Sequence, residues 1–102
     1  MIYTIVYNPR LYDDVKEAVE WYNDHHPGLG DEFMTLFKRK STLLANCCHL
    51  FAVRYHTVRC MPMGKFPYLI HYRIDNAFQL VVVEGVVHTS RNPDKGRQQN
   101  SK

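Results

Sequence analysis

No hydrophobic run in this 102-residue chain approaches the roughly 20 apolar residues needed to cross a bilayer. The N-terminal IYTIVY stretch is short and has neither a basic lead nor a small-residue cleavage site. No signal peptide is therefore expected, and the expected location is the cytoplasm. Cysteine is scarce. Cys47, Cys48 and Cys60 form an odd set, and bonding the adjacent pair to each other would close a strained ring, so reduced, half-buried thiols are expected. Metal binding is disfavoured as well. Cys47, Cys48 and His49, with His25 and His26, lack the spaced pairs that let thiolates converge, and on a helix Cys47 would face the core while Cys48 points about 100° away. No metal and no cofactor is expected. A surplus of one charge is nearly absent too, the formal net charge being +3. So slight an excess excludes no class of partner, but its distribution is uneven. Acidic residues crowd the first third, while Arg54, Arg59, Lys65, Arg73, Arg91, Lys95 and Arg97 follow later, which predicts one basic face.

What is present has clear periodicity. Residues 2–7 alternate β-branched and aromatic types, as a strand does. Asn8-Pro9 ends that strand and opens a helix, with Asn8 as cap and Pro9 in the first turn. Leu11, Val15, Ala18, Val19 and Tyr22 then make one apolar stripe, and Trp21 with Tyr22 is expected in the core of a helical hairpin. Pro27-Gly28 breaks the helix, and Gly30-Asp31 offers a turn and a new cap. A second helix follows, burying Phe33, Leu36, Phe37, Leu43, Leu44 and Cys47 and exposing Lys38, Arg39 and Lys40. From Phe51 the period becomes two, with Phe51, Val53 and Tyr55 on one side, and Thr57 to Met63 continues extended. Tyr68 to Ile74 is a further strand with Tyr68, Ile70, Tyr72 and Ile74 on one face. Asp75-Asn76 is a hairpin turn, and Phe78 to His88 is a central strand covered on both faces.

The order predicts an α+β domain: an N-terminal strand and an antiparallel helical hairpin packed on a mostly antiparallel, curved sheet of four to five strands. Residues 1–93 would form this single domain and 94–102 a polar tail. Tyr55 and Tyr72 are the best placed rings for stacking on nucleobases.

EAVEWY on the first helix, HPGLGDEF at the joint, Val58-Arg59 on a strand, KFPYLIHYRI, and VVHTSRNP at the last strand together resemble the RelE/ParE toxins of type II toxin-antitoxin, or plasmid stabilization, modules. The resemblance spans nearly the whole chain. It implies a growth-inhibiting toxin neutralised by a cognate antitoxin that lies over the helices and sheet edge; a homodimer is compatible with it. ParE-like members bind DNA gyrase, and that is the leading expectation here, with Arg59, Lys65, His88 and Arg91 as target-binding residues. RelE-like members instead cut mRNA on the ribosome. For that chemistry Glu84 would be the base and His88 the acid, sharing a face by their spacing of four, while Arg73 clamps the phosphate without any metal. Against it, Pro67-Tyr68 occupies the place where such nucleases carry an Arg, and Thr89 follows His88 where several carry a Tyr. Blander roles are also open. His88 would hydrogen-bond a backbone carbonyl at the strand end, Arg91 would fasten the tail to Asp94, and Arg59 would be structural. A toxin homologue that is inactive and only binds antitoxin is the third class.

Overall fold

The computed structural model describes residues 2–90; the expected domain limit at 93 and the polar tail 94–102 lie outside the described residues. Along the chain run β1 (Thr4–Tyr7), α1 (Leu11–His25), α2 (Leu29–Cys47), β2 (Val53–Tyr55), β3 (Val58–Pro62), β4 (Tyr68–Asp75) and β5 (Leu80–His88). The strands form one sheet in the order β1-β5-β4-β3-β2. β1 runs parallel to β5, a pairing that a tight hairpin could not make and that α1, α2 and three strands separate in sequence, and every other pairing is antiparallel. The fold is therefore α+β with a mixed, mostly antiparallel five-stranded sheet.

The two helices and one sheet face enclose the core. α1 contributes Leu11, Val15, Ala18 and Tyr22, α2 contributes Phe33, Phe37 and Leu44, and the sheet contributes Met61, Ile70, Tyr72, Val81, Val83 and Val86. Each large side chain among these stabilises by roughly 1.5–3 kcal/mol through removal from water. Among the described residues no helix covers the opposite face, and Leu80, Val82 and Val87 are only half-buried there, so the described helices cover β5 on one side and not on two.

Asn8 turns the chain from β1 toward α1, its Oδ1 accepting the Arg10 N–H at 3.1 Å, and the helix proper begins at Leu11. The joint between the helices departs further from expectation. α2 starts at Leu29, with Gly28 before it at φ 91°, so Gly30 lies inside the first turn of the helix and is no cap. The cap comes from α1. Asn23 Oδ1 accepts the N–H groups of Gly28 at 3.1 Å and Gly30 at 2.8 Å, meeting two donors that helix geometry leaves unpaired. Asn23→Ala should lower stability by about 1–2 kcal/mol in chemical denaturation, more than an ordinary surface change. An unchanged midpoint would mean water replaces the cap.

The buried stripe of α2 runs through Phe33, Phe37, Ser41 and Leu44 and on to Cys48, at spacings of four, four, three and four. Leu43 is about 100° off this stripe and is half exposed, and Cys48, not Cys47, is the buried thiol. Ser41 is tolerated in the stripe because its Oγ meets the Tyr7 hydroxyl at 2.8 Å and donates to the Lys38 carbonyl. Trp21 also departs from its expected place. It is 53% exposed and stacks on His25 with ring centroids 3.8 Å apart, leaving only Tyr22 in the core.

Between Phe51 and Met63 the chain makes a hairpin instead of one extended run. β2 has three residues, and a turn through His56 at φ 48° leads into β3. The β4–β5 pairing holds the feature that decides the site. Tyr72 pairs with Val83 and His71 with Gly85, leaving Glu84 as an extra residue on β5. This is a β-bulge, and it reverses the side-chain alternation of everything after it.

Candidate functional site

The bulge separates residues that simple alternation would group. Tyr68, Ile70 and Tyr72 face the helices, and through the pairing so do their partners His88, Val86 and Val83. Glu84 turns to the open side, where its Oε2 accepts the Arg73 Nε–H at 2.6 Å and its Oε1 accepts the Asn8 Nδ2–H at 2.8 Å. Glu84 and Arg73 thus come together as an ion pair, whereas His88 lies on the other face of the sheet. Glu84 is well covered and Arg73 partly exposed, so the pair is a local clamp between β1, β4 and β5.

His88 sits under the helices. Its ring meets Tyr68 edge-on with centroids 5.1 Å apart and lines a small polar cavity of about 50 Å³ with Asp14, Glu17 and Ala18. His88 Nδ1 accepts the Ser90 N–H at 3.1 Å and lies 2.9 Å from the Ser90 hydroxyl, so in the neutral ring the proton is on Nε2. It caps the strand end through an amide donor, not a carbonyl. Asp14 closes the bulge from above. Its carboxylate accepts the Val86 N–H, and burial raises its pKa against that bond and the nearby Arg10. A Cβ on Gly85 would meet Asp14 Oδ2 at 3.1 Å, which suits a glycine beneath the helix.

The expected target-binding residues are dispersed. Arg59 is half-buried on the helix side of β3, where its guanidinium donates to the Phe51 carbonyl at 2.6 Å. Lys65 is exposed and ion-paired with Glu32 of α2. Arg91 lies outside the described residues. Of the two rings considered for stacking, Tyr72 is fully buried with its hydroxyl donating to the Cys48 carbonyl at 2.6 Å, while Tyr55 stands on the open face.

The open face also holds a group outside the expected site residues. His71 is only 4% exposed; its Nδ1 lies 3.0 Å from the Tyr55 hydroxyl, and its Nε2 has no hydrogen-bond partner among the described residues. Burial, aided by Arg54, lowers the imidazole pKa to about 4, so the ring is neutral at pH 7. The alternation of β4 already placed His71 opposite the core residues. Its burial depends on neighbouring strands, which no single-strand pattern reveals. Among the described residues no three His, Cys, Asp or Glu side chains gather as metal ligands.

Beside β1, the seam between α1 and α2 is an apolar groove. A cavity of about 560 Å³ is lined by Tyr7, Leu11, Tyr12, Val15, Met34 and Phe37, and a second of about 400 Å³ continues it past Tyr12 and Met34 toward Val19. Tyr12 is 77% exposed at its lip, and Lys16 and Lys38 line the two cavities. No described helix is long and apolar enough to cross a membrane.

No family model matches the sequence, and no curated protein matches it. Solved structures do. A chain of the chromosomal ParDE TA system from P. aeruginosa superposes with a TM-score of 0.74 at 11% identity, over 85% of this chain and 96% of that one. The isolated E. coli RelE toxin superposes with a TM-score of 0.56, again at 11% identity, over 97% of both chains. The fold is the RelE/ParE fold.

Proposed function

We propose that this protein is the toxin of a type II toxin-antitoxin module and that it stops growth by binding its target, in the manner of ParE toxins and with DNA gyrase as that target. The observation that carries the choice of binding over cleavage is the bulge at Glu84. It puts His88 across the sheet from Glu84 and Arg73, and those two neutralise each other. Ribose 2′-hydroxyl attack needs base, acid and phosphate clamp around one scissile bond, within about 3 Å of the atoms they serve. A carboxylate and a histidine on opposite sheet faces do not meet that need. The higher TM-score to the ParDE chain supports the same choice of branch.

The test is pulse-labelling in bacteria that lack the antitoxin, in the first minutes after induction. Thymidine incorporation should fall while amino-acid incorporation continues, and Glu84→Gln and His88→Gln should both still kill. An early fall in protein synthesis with cleaved ribosome-bound mRNA, abolished by either substitution, would overturn the reading in favour of a RelE-like endonuclease.

Neutralisation by a cognate antitoxin fits the groove between α1 and α2, whose apolar floor and exposed tyrosine suit an amphipathic segment. Tyr12→Ala, at so exposed a site, should leave folding and killing intact but weaken antitoxin binding by about 30-fold, the effect of losing an aromatic anchor worth roughly 2 kcal/mol. Calorimetric titration of the two proteins reads this directly. Unchanged affinity would remove the groove as the docking site.

A further inference from the structure

β2 combines several weaknesses. It is three residues long, its pairing with β3 shifts register between Val53 and Tyr55, and Val53 and Arg54 are exposed. The turn that follows puts His56, a residue with a Cβ, in the left-handed region at φ 48°. Beyond β3, on β4, lies His71, which the Tyr55 side chain reaches: its Nδ1 is bonded to the Tyr55 hydroxyl and its Nε2 is buried and unmet among the described residues. A buried polar atom without a partner costs about 1–3 kcal/mol, and water returns that cost once it has access.

We infer that residues 53–57 form a flap that opens locally while β1, β5, β4 and β3 stay folded, and that hydration of His71 is what the opening gains. Opening would leave Val58 and Arg59 on the free edge of a four-stranded sheet. The inference is independent of the toxin reading, since it rests on the sheet alone.

The surroundings of His71 give the flap a pH dependence. Arg54 and Tyr55 face it from β2, Cys60 lies beside it in register on β3, and Gly85 lies opposite on β5. The nearby charges of Glu84 and Arg73 are engaged with each other. With the flap closed the ring protonates at about 4, and in water it returns to about 6.5. Linkage then makes the opening equilibrium about 30-fold more favourable at pH 5 than at pH 7.5.

Native-state hydrogen exchange on the full chain tests this, with rates corrected for the intrinsic pH dependence. The amides of Val53–Tyr55, Val58 and Arg59 should be at least tenfold less protected than those of Ile70 and Val83 at every pH, as expected of sub-global opening. They should also be insensitive to low urea and lose about 30-fold in protection from pH 7.5 to pH 5. Tyr55→Phe, which keeps the ring and removes the tie, should lower β2 protection at pH 7.5 and keep the pH dependence; His71→Gln should abolish the dependence. The flap is refuted if β2 exchanges with the same protection and urea sensitivity as Ile70 and Val83. The role of His71 is refuted if wild-type β2 protection is flat with pH or if Tyr55→Phe leaves it unchanged.

Discussion

Gly30→Ala should cost about 3 kcal/mol and lower the midpoint of thermal unfolding by more than about 10 °C, although alanine is intrinsically the better helix former by about 1 kcal/mol. An added Cβ would sit 2.2 Å from the Val19 carbonyl oxygen and 2.7 Å from the Asn23 side chain. The first of these is backbone, so no rotamer change relieves it; α1 and α2 must move apart. That movement would also strain the two bonds by which Asn23 caps α2 and would open the packing of Tyr22 on Phe33, whose rings lie 5.7 Å apart. Gly28→Ala makes the contrast. It meets nothing within 4 Å but sits at φ 91°, so its cost should be the backbone cost of about 1 kcal/mol. Equal effects of the two substitutions in paired thermal scans would mean that the close crossing at Gly30 does not constrain the hairpin.

These glycines show where the sequence was readable and where it was not. The apolar stripe of α1 and the period-two faces of β4 were legible, because each follows from one element and one covered face: Leu11, Val15, Ala18 and Tyr22, then Ile70 and Tyr72, are buried as their spacing implies. Gly30 was misread as a turn residue because a helix-crossing glycine and a turn glycine look alike until the neighbouring helix is in place. The same limit applies to the site. Arg73, read as a clamp for a phosphate, is instead held by Glu84, and the placement of His88 on the face of Glu84 failed on one inserted residue. A single bulge reverses every later side chain, and Glu84-Gly85 within an apolar run is only a faint sign of it. Arg59, read as target-facing or structural, donates inward to Phe51, a contact set by a loop that has no periodicity to read.

His71 should dominate the acid side of the stability profile. Its pKa is about 4 in the folded protein against an ordinary value of 6.5, so the unfolded chain binds the proton more tightly. The stabilisation from keeping the ring neutral is fully present above about pH 6.5, declines as pH falls, and is spent near pH 4. Over that interval it amounts to about 3 kcal/mol at 1.36 kcal/mol per pKa unit. Asp14 acts in the opposite sense. Its raised pKa means the folded state takes up that proton more readily, so acidification through its range stabilises and offsets part of the His71 loss. The comparison that isolates His71 is the difference between wild type and His71→Gln, because Asp14 and the other carboxylates are common to both. Urea unfolding at half-unit steps from pH 7.5 to pH 4 should show wild type losing about 3 kcal/mol more than the variant, with the steepest divergence between pH 6.5 and pH 4.5. Parallel profiles would mean that the imidazole is hydrated in the folded state. The unmet Nε2 would then no longer be a source of strain, and both the acid sensitivity and the tendency of β2 to open would lose their common cause.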